Sequence, residues 1–285
     1  MGCLEGKSVI VTGAARGLGR AYALDAAREG AAVLVNDVSL EVAAVAEKIV
    51  DNGGKAVINV CSVTRWDNAQ AIVDDCVRAF GRLDGLVNNA GVIHKTKPHK
   101  ETEEQAVTAV TVNLLGTIFV GTHALEVMAE QRSGSVVNVT SSAQMGIPDS
   151  PTYAATKGGV ASLTYSWAVD MSRYGVRVNG FAPSAFGHMQ TIMQNPVSTG
   201  IPTPEANAPV VTYLLSDLSS DITSQIVQVR GADVVLVRHP SLSEHIATNE
   251  HWTAESLAAQ FGPILKANLE PLGWEPALAG LGLPD

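Results

Sequence analysis

Cysteine is nearly absent. Cys3, Cys61 and Cys76 form an odd set with no C-x-x-C spacing, which excludes a disulfide framework and leads to the expectation of reduced thiols and no metal. Basic charge is also short, with 19 Lys and Arg against 28 Asp and Glu and a net charge of −9. An acidic chain without a Lys/Arg stripe repels a polyanionic duplex, so nucleic acid is not an expected partner. No apolar run approaches the roughly 20 residues that cross a bilayer, and no charged N-terminal segment leads into an apolar one. These absences lead to the expectation of no membrane span and a cytoplasmic location. Met1-Gly2 opens like a myristoylation signal, but Gly6 stands where that signal needs Ser or Thr. What the 285 residues do contain is 46% hydrophobic side chains, 16% charged ones and 26 glycines. That is the composition of a globular chain able to bury a substantial core.

Short β-branched runs alternate with longer segments of helical period. Ser8–Thr12, Ala32–Val35, Ala56–Val60, Gly85–Val87, Ser135–Val139 and Val176–Phe181 read as strands. A β-α-β-α rhythm requires crossovers between parallel strands, and strands that are apolar throughout are covered on both faces. The expected fold is α/β, a single doubly wound parallel sheet with helices on both faces. Two segments depart from the rhythm. Residues 183–204, rich in Pro, Ser, Thr and Met, read as a mobile loop, in which His188 and Met189 fit either a site entrance or an ordinary loop role, and Met189, Ile192 and Met193, at helical spacing, fit either an apolar lid or a core-facing side. Residues 239–285 read as an extension of a 1–238 catalytic domain and not as a second domain, with a helix starting near Thr253 and Leu257, Phe261, Ile264 and Leu265 as its apolar face.

Directly after the first strand comes T-G-A-A-R-G-L-G, Thr12 to Gly19. Gly13, Gly17 and Gly19 allow a sharp turn and close approach of a pyrophosphate to a helix N-terminus, with Arg16 and Leu18 in the same loop. A glycine pattern alone also fits a bare tight turn. Its place between strand and helix, with Asp37 18 residues beyond Gly19, favours a dinucleotide site. A carboxylate there accepts from ribose hydroxyls and repels a 2′-phosphate, which points to NAD over NADP. Arg16 argues the other way, and Asp37 also fits a turn acid before Ser39.

Tyr153-Ala154-Ala155-Thr156-Lys157 places a phenol and an ammonium on one helix face. A nearby cation favours phenolate, so a lowered tyrosine pKa is expected, although the spacing alone also fits a solvated face. Upstream stand Asn88-Asn89-Ala90-Gly91, Asn113 in V-N-L-L-G-T and Ser141 in V-N-V-T-S-S. Together these motifs resemble the short-chain dehydrogenase/reductase family over about residues 5 to 230.

The resemblance implies a single Rossmann-type domain, a homo-oligomer (tetramer or dimer), a small-molecule alcohol or ketone substrate and a nicotinamide cofactor. It implies Tyr153 as general acid/base, Lys157 as its partner on the nicotinamide ribose, Ser141 on the substrate oxygen and Asn113 on a water of a proton relay. Asn89, Ala90 and Gly91 would flank the cofactor. Departures from the family pattern are Ser62-Val63 in place of an Asp-Val pair near adenine, Ala182-Pro183-Ser184 in place of Pro-Gly, and Gly187 where a Thr often meets the carboxamide. Gly19–Leu24 and Val35–Asp37 further resemble the (3R)-hydroxyacyl-CoA dehydrogenase units of multifunctional type 2 enzymes and related bacterial hydroxysteroid dehydrogenases. That implies oxidation of a 3-hydroxyacyl-CoA or hydroxysteroid-like alcohol. A basic cluster, His94, Lys95, Lys97, His99 and Lys100, follows the Asn-Asn-Ala-Gly loop and fits either CoA phosphates or a solvated loop. Two alternatives are an NADPH-dependent ketoreductase and a dinucleotide sensor without catalysis. Retention of both Tyr153 and Lys157 disfavours the sensor.

Overall fold

The computed structural model describes residues 2–184, 202–245, 247–264 and 266–269. Its strands are β1 (Ser8–Thr12), β2 (Ala32–Asn36), β3 (Lys55–Asn59), β4 (Gly85–Asn88), β5 (Gly134–Val139), β6 (Val176–Ala182), β7 (Ile226–Arg230) and β8 (Asp233–Val237). They form one sheet in the order β3-β2-β1-β4-β5-β6-β7-β8. The described helices are α1 (Gly17–Arg28), α2 (Val42–Asp51), α3 (Trp66–Phe80), α4 (Glu103–Ala109), α5 (Gly116–Gln131), α6 (Pro151–Met171), α7 (Pro204–Leu215) and α8 (Ala254–Ile264).

Two apolar layers account for the uninterrupted hydrophobic strands. Val9, Val11, Val33, Val35, Val87 and Val137 pack with Tyr22, Val45, Ile49 and Leu214 on one face. Ile10, Leu34, Leu86, Val136 and Val178 pack with Ile72, Val73, Val120 and Met128 on the other. Because successive strand residues point to opposite faces, covering both faces leaves no position for a polar alternation. The expected strands therefore appear with ends shifted by a residue or so.

The sheet is not parallel throughout. β7 and β8 pair antiparallel, Ile226 opposite Val237 and Arg230 opposite Asp233. Gly231, at φ +59°, turns the chain back on itself, a conformation that costs glycine little. Among the described residues β8 is covered on one face only: Val237 packs against a buried cluster, while Val234 and Leu236 are both 61% exposed. A second difference concerns the run Glu103–Gln131, which is long and apolar enough by composition to cross a membrane. Its Val120, Ala124, Leu125 and Met128 lie in the buried cluster under the sheet, as a core helix requires.

Strand order positions the site. β1 pairs with β2 on one side and with β4 on the other, so the chain leaves β1 in one direction and returns to its other edge. The carboxyl ends of β1 and β4 lie side by side at this reversal of strand order, where open α/β sheets form their ligand crevice. The contacts divide the chain after Val237. In the second unit α8 starts as expected at Thr253, whose Oγ1 accepts the Ser256 N–H at 3.1 Å while Ser256 Oγ accepts the Thr253 N–H at 2.9 Å. Leu257 and Phe261 of its anticipated apolar face are exposed. Leu265, and in the anticipated substrate loop His188, Met189, Ile192, Met193 and Gly187, lie outside the described residues.

Candidate active site

At the end of β1, Thr12 Oγ1 accepts the N–H groups of Asn89 and Ala90 at 3.0 and 3.1 Å. Asn89 in turn donates from Nδ2 to the carbonyls of Thr12 and Gly13 at 2.9 and 3.1 Å. The β1 and β4 loops are thus clasped across the crevice. This closeness requires glycine. A Cβ on Gly19 would lie 2.1 Å from the Gly13 carbonyl oxygen, and one on Gly13 would lie 2.9 Å from Ala90 Cα. Gly17 instead is needed for its backbone, at φ +55° with open space around it.

Helix α1 begins with no acidic residue in its first turn and no side-chain cap from Arg16. Its first N–H groups and dipole are therefore not neutralised by a side chain of the helix's own start, which fits a dinucleotide pyrophosphate. Leu18, half-buried, packs its side chain into the core behind the loop. Asp37 bridges two loops. One carboxylate oxygen accepts the Ser39 N–H at 3.0 Å, as a turn acid does, and the other accepts the Ala15 N–H of the glycine loop at 3.0 Å. It ties the loop to β2 and leaves acceptor capacity on both oxygens. Arg16 is exposed. The Ser62 hydroxyl bonds to Thr64 Oγ1 at 2.9 Å, and Val63 is buried where α5 has no Cβ at Gly116. Beyond Pro183, Asn207 on α7 accepts the Ser184 N–H at 3.1 Å and donates to the Ser184 and Thr203 carbonyls at 3.0 and 2.9 Å.

The expected Ser, Tyr and Lys side chains converge from the segment after β5 and from α6. Ser141 lies two residues beyond β5 and caps the following turn, its Oγ accepting the Ala143 N–H at 3.1 Å. Its side chain also hydrogen-bonds Tyr153. Tyr153 is buried in an apolar cluster with Ile93 and Ala143, bordered by Ile147 and Ala154. Lys157 is buried one turn along, its Nζ 5.8 Å from the centre of the Tyr153 ring and donating to the Val139 carbonyl at 2.6 Å. Neither side chain lies on a solvated helix face.

One expectation is corrected. Burial raises the Tyr153 pKa above the usual phenol value, and the Ser141 hydrogen bond only partly offsets it. Burial likewise lowers the pKa of the Lys157 ammonium, to about 8.

Asn113 sits in a π-helical turn, Val110–Leu115, between α4 and α5. Its side chain accepts the Val92 N–H at 2.7 Å and donates to the Val92 carbonyl at 2.9 Å and to Thr156 Oγ1 at 3.2 Å. Thr156 donates to the Tyr153 carbonyl at 2.8 Å. Asn113 therefore joins the Gly91 loop to the helix carrying Tyr153. Of the basic cluster, Lys95, Lys97, His99 and Lys100 are exposed, whereas His94 has its Nε2 buried.

Sequence reasoning assigned no role to Thr12, Thr156 or Asn207. The first two lie inside the quoted motifs, T-G-A-A-R-G-L-G and Y-A-A-T-K, so the signal was available. Asn207 carried none, since its partners are 23 and 4 residues away.

The family model described as short chain dehydrogenase matches residues 7–201. The chain belongs to the short-chain dehydrogenase family. It is an oxidoreductase acting on a CH–OH group. It is 35% identical over 247 residues to the 3-oxoacyl-(acyl-carrier-protein) reductase FabG of Thermotoga maritima, covering 81% of this chain and 99% of that one. Levodione reductase of Leifsonia aquatica is 36% identical over 250 residues, covering 78% and 92%. A crystal structure of a short chain dehydrogenase from Mycobacterium avium superimposes with a TM-score of 0.87 at 31% identity, over 95% of this chain and 99% of that chain. This dehydrogenase thus shares both its sequence and its sheet with proteins of the same class.

Proposed function

We propose that this dehydrogenase interconverts a secondary alcohol and a ketone with NAD, on a 3-hydroxyacyl-CoA or hydroxysteroid-like substrate, with Tyr153 as acid/base. The observation that carries the reading is the hydrogen-bonded Ser141–Tyr153 pair at the edge of an apolar lining, with the buried Lys157 behind it. Tyr153 Oη takes the hydroxyl proton of the alcohol during oxidation and returns it during reduction. Ser141 holds the reacting oxygen, so the substrate carbon is presented in one orientation. Hydride acceptance and return is the chemistry a nicotinamide dinucleotide supplies when bound.

Gly13, Arg16, Gly17, Leu18 and Gly19 would hold its pyrophosphate, Asp37 its adenosine ribose, and Ser62 and Val63 its adenine. Asn89, Ala90, Gly91 and Pro183, with Tyr153 and Lys157, would hold the nicotinamide half. Asp37 supports NAD, since a carboxylate bonded to the glycine loop repels a 2′-phosphate. The FabG relative is named for the 3-oxoacyl thioester, the ketone counterpart of the proposed 3-hydroxyacyl substrate. The functional assembly is a homo-oligomer, a tetramer or dimer, in the cytoplasm.

The test is absorbance at 340 nm with NAD or NADP and a panel of 3-hydroxyacyl-CoAs, hydroxysteroids and simple secondary alcohols. Tyr153→Phe should abolish most turnover while NAD still binds, and Asp37→Ala should narrow the preference for NAD over NADP. Retained turnover in the first variant, or unchanged discrimination in the second, would refute the corresponding role.

A further inference from the structure

The last residues of β2 and β3, Asn36 and Asn59, are paired in register and only 1% and 5% exposed. For packing alone an apolar pair of similar shape would serve about as well, because a buried, hydrogen-bonded amide pair adds little net stability over one. What distinguishes the amides is where their hydrogen bonds go. Asn36 Nδ2 donates to Asn59 Oδ1 at 3.0 Å and to the Cys61 carbonyl at 2.8 Å, and Asn59 Oδ1 also accepts the Cys61 N–H at 2.9 Å. Cys61 is thus held by its N–H and by its carbonyl, one from each asparagine.

Asn59 is not free to turn over. Its Nδ2 donates to Asp75 Oδ2 on α3 at 2.8 Å, and a carboxylate accepts only, so Oδ1 faces Cys61. Asp75 itself is partly exposed and pairs through its other oxygen with Arg78. The main chain of the same two asparagines carries two more ties. The Asn36 carbonyl accepts the Ala14 N–H of the glycine loop at 2.9 Å, and the Asn59 carbonyl accepts the Asp37 N–H at 3.2 Å. Glycine loop, Asp37 and the Cys61–Val63 loop therefore meet on one buried pair, and of the three only the Cys61–Val63 loop depends on the pair's side chains.

Resting on the dinucleotide site proposed above, we infer that Asn36, Asn59 and Asp75 are positioning residues for the adenosine half of the cofactor: they fix Cys61, and through it the Ser62–Val63 wall, before the cofactor arrives. A wall already in place needs no ordering on binding, whereas a loose one takes that cost from affinity. Buried Val63 fastens the far end of the loop. The Ser62 hydroxyl ties it to nothing outside, since its partner Thr64 lies two residues on. The three positioning residues act on cofactor binding and leave the chemistry to Ser141 and Tyr153.

The experiment measures NAD and ADP-ribose affinity by calorimetry, and KM for NAD against kcat on an alcohol the native enzyme oxidises. Asn59→Asp sets a second carboxylate against Asp75 and should weaken both ligands about tenfold. The double variant Asn59→Asp with Asp75→Asn, in which donor and acceptor exchange places, should recover native affinity to within about twofold. Asp75→Ala should weaken both ligands at least about threefold, whereas Arg78→Ala, which removes only the ion pair, should bind them as the native enzyme does. The kcat at saturating NAD should stay within about twofold throughout. Native affinity in Asn59→Asp, no recovery in a folded double variant, equal losses in Asp75→Ala and Arg78→Ala, or kcat falling in step with affinity and melting temperature would make the network structural and overturn the inference. If Asn59→Asp does not fold, Asp75→Ala against Arg78→Ala decides alone. Binding of NAD that no variant weakens overturns the positioning role and leaves the dinucleotide site standing. No binding of NAD, NADP or ADP-ribose by the native enzyme overturns both.

Discussion

Replacing Gly19 by alanine tests whether close approach, and not flexibility, is what the glycine loop needs. The new Cβ would lie 2.1 Å from the Gly13 carbonyl oxygen, 2.5 Å from Asn89 Nδ2 and 2.8 Å from the Gly13 carbonyl carbon. Ordinary carbon contacts fall near 3.5–4.0 Å, so the overlap exceeds about 1 Å, and two of the three obstructing atoms are backbone. Relief requires both that α1 shift away from the Gly13 carbonyl and that Asn89 release its bonds to the Thr12 and Gly13 carbonyls. Overpacking of this kind costs about 1–3 kcal/mol, and two lost hydrogen bonds add about 1 kcal/mol each. The expected destabilisation is about 4 kcal/mol, read from urea unfolding, with NAD affinity reduced at least about tenfold. Gly17→Ala is the control. There the Cβ has open space and only the positive φ to bear, a cost of about 1–2 kcal/mol. Gly19→Ala unfolding at the native midpoint, or proving milder than Gly17→Ala, would refute the packing argument.

Three further outcomes follow from the site. Burial depresses the Lys157 pKa from 10.5 to about 8, so between those values the unfolded chain binds the extra proton; stability should rise with pH across that window. Lys157→Met should remove that rise and stabilise the protein at pH 7 by about 3 kcal/mol at most, while turnover is lost; an identical pH–stability curve in the variant would contradict it. Thr156→Val deletes the hydroxyl joining Asn113 to the Tyr153 carbonyl and should cost about 1–2 kcal/mol and several-fold in kcat, with Thr156→Ser restoring both; a fully active valine variant would show the link to be dispensable. Asn207→Leu should lower stability by about 3 kcal/mol, since it strips partners from the buried-side amide and carbonyl of Ser184 and from the Thr203 carbonyl, checked by thermal unfolding.

The central strands β1, β4, β5 and β6 were readable because a strand covered on both faces must be apolar at nearly every position, and Val9, Ile10 and Val11 satisfy that without knowledge of their neighbours. β8 was not readable in this way. Val234 and Leu236 are mostly exposed, and pairing with β7 depends on the turn at Gly231. The same division holds at the site. Tyr153 and Lys157 are fixed on one helical face by their i, i+4 spacing, and the glycine pattern fixes the entry to α1, since both are properties of local backbone geometry.

Proton affinities, by contrast, belong to the surroundings. A cation one turn away should lower a phenol pKa, yet burial of both groups reverses the outcome for Tyr153 and lowers Lys157 instead. Asp37 is similar: its position past β2 was plain, but its bond to the Ala15 N–H arises only because β1 and β2 lie side by side. By itself the sequence determined the alternation of strand and helix, the glycine turn and the Tyr–Lys face, because each follows from spacing along one chain segment. Only the tertiary structure decided the Asn89 clasp, the Asn113–Thr156 link, the antiparallel edge and the direction of the pKa shifts, because desolvation and contact between segments distant in sequence exist only once the chain has packed.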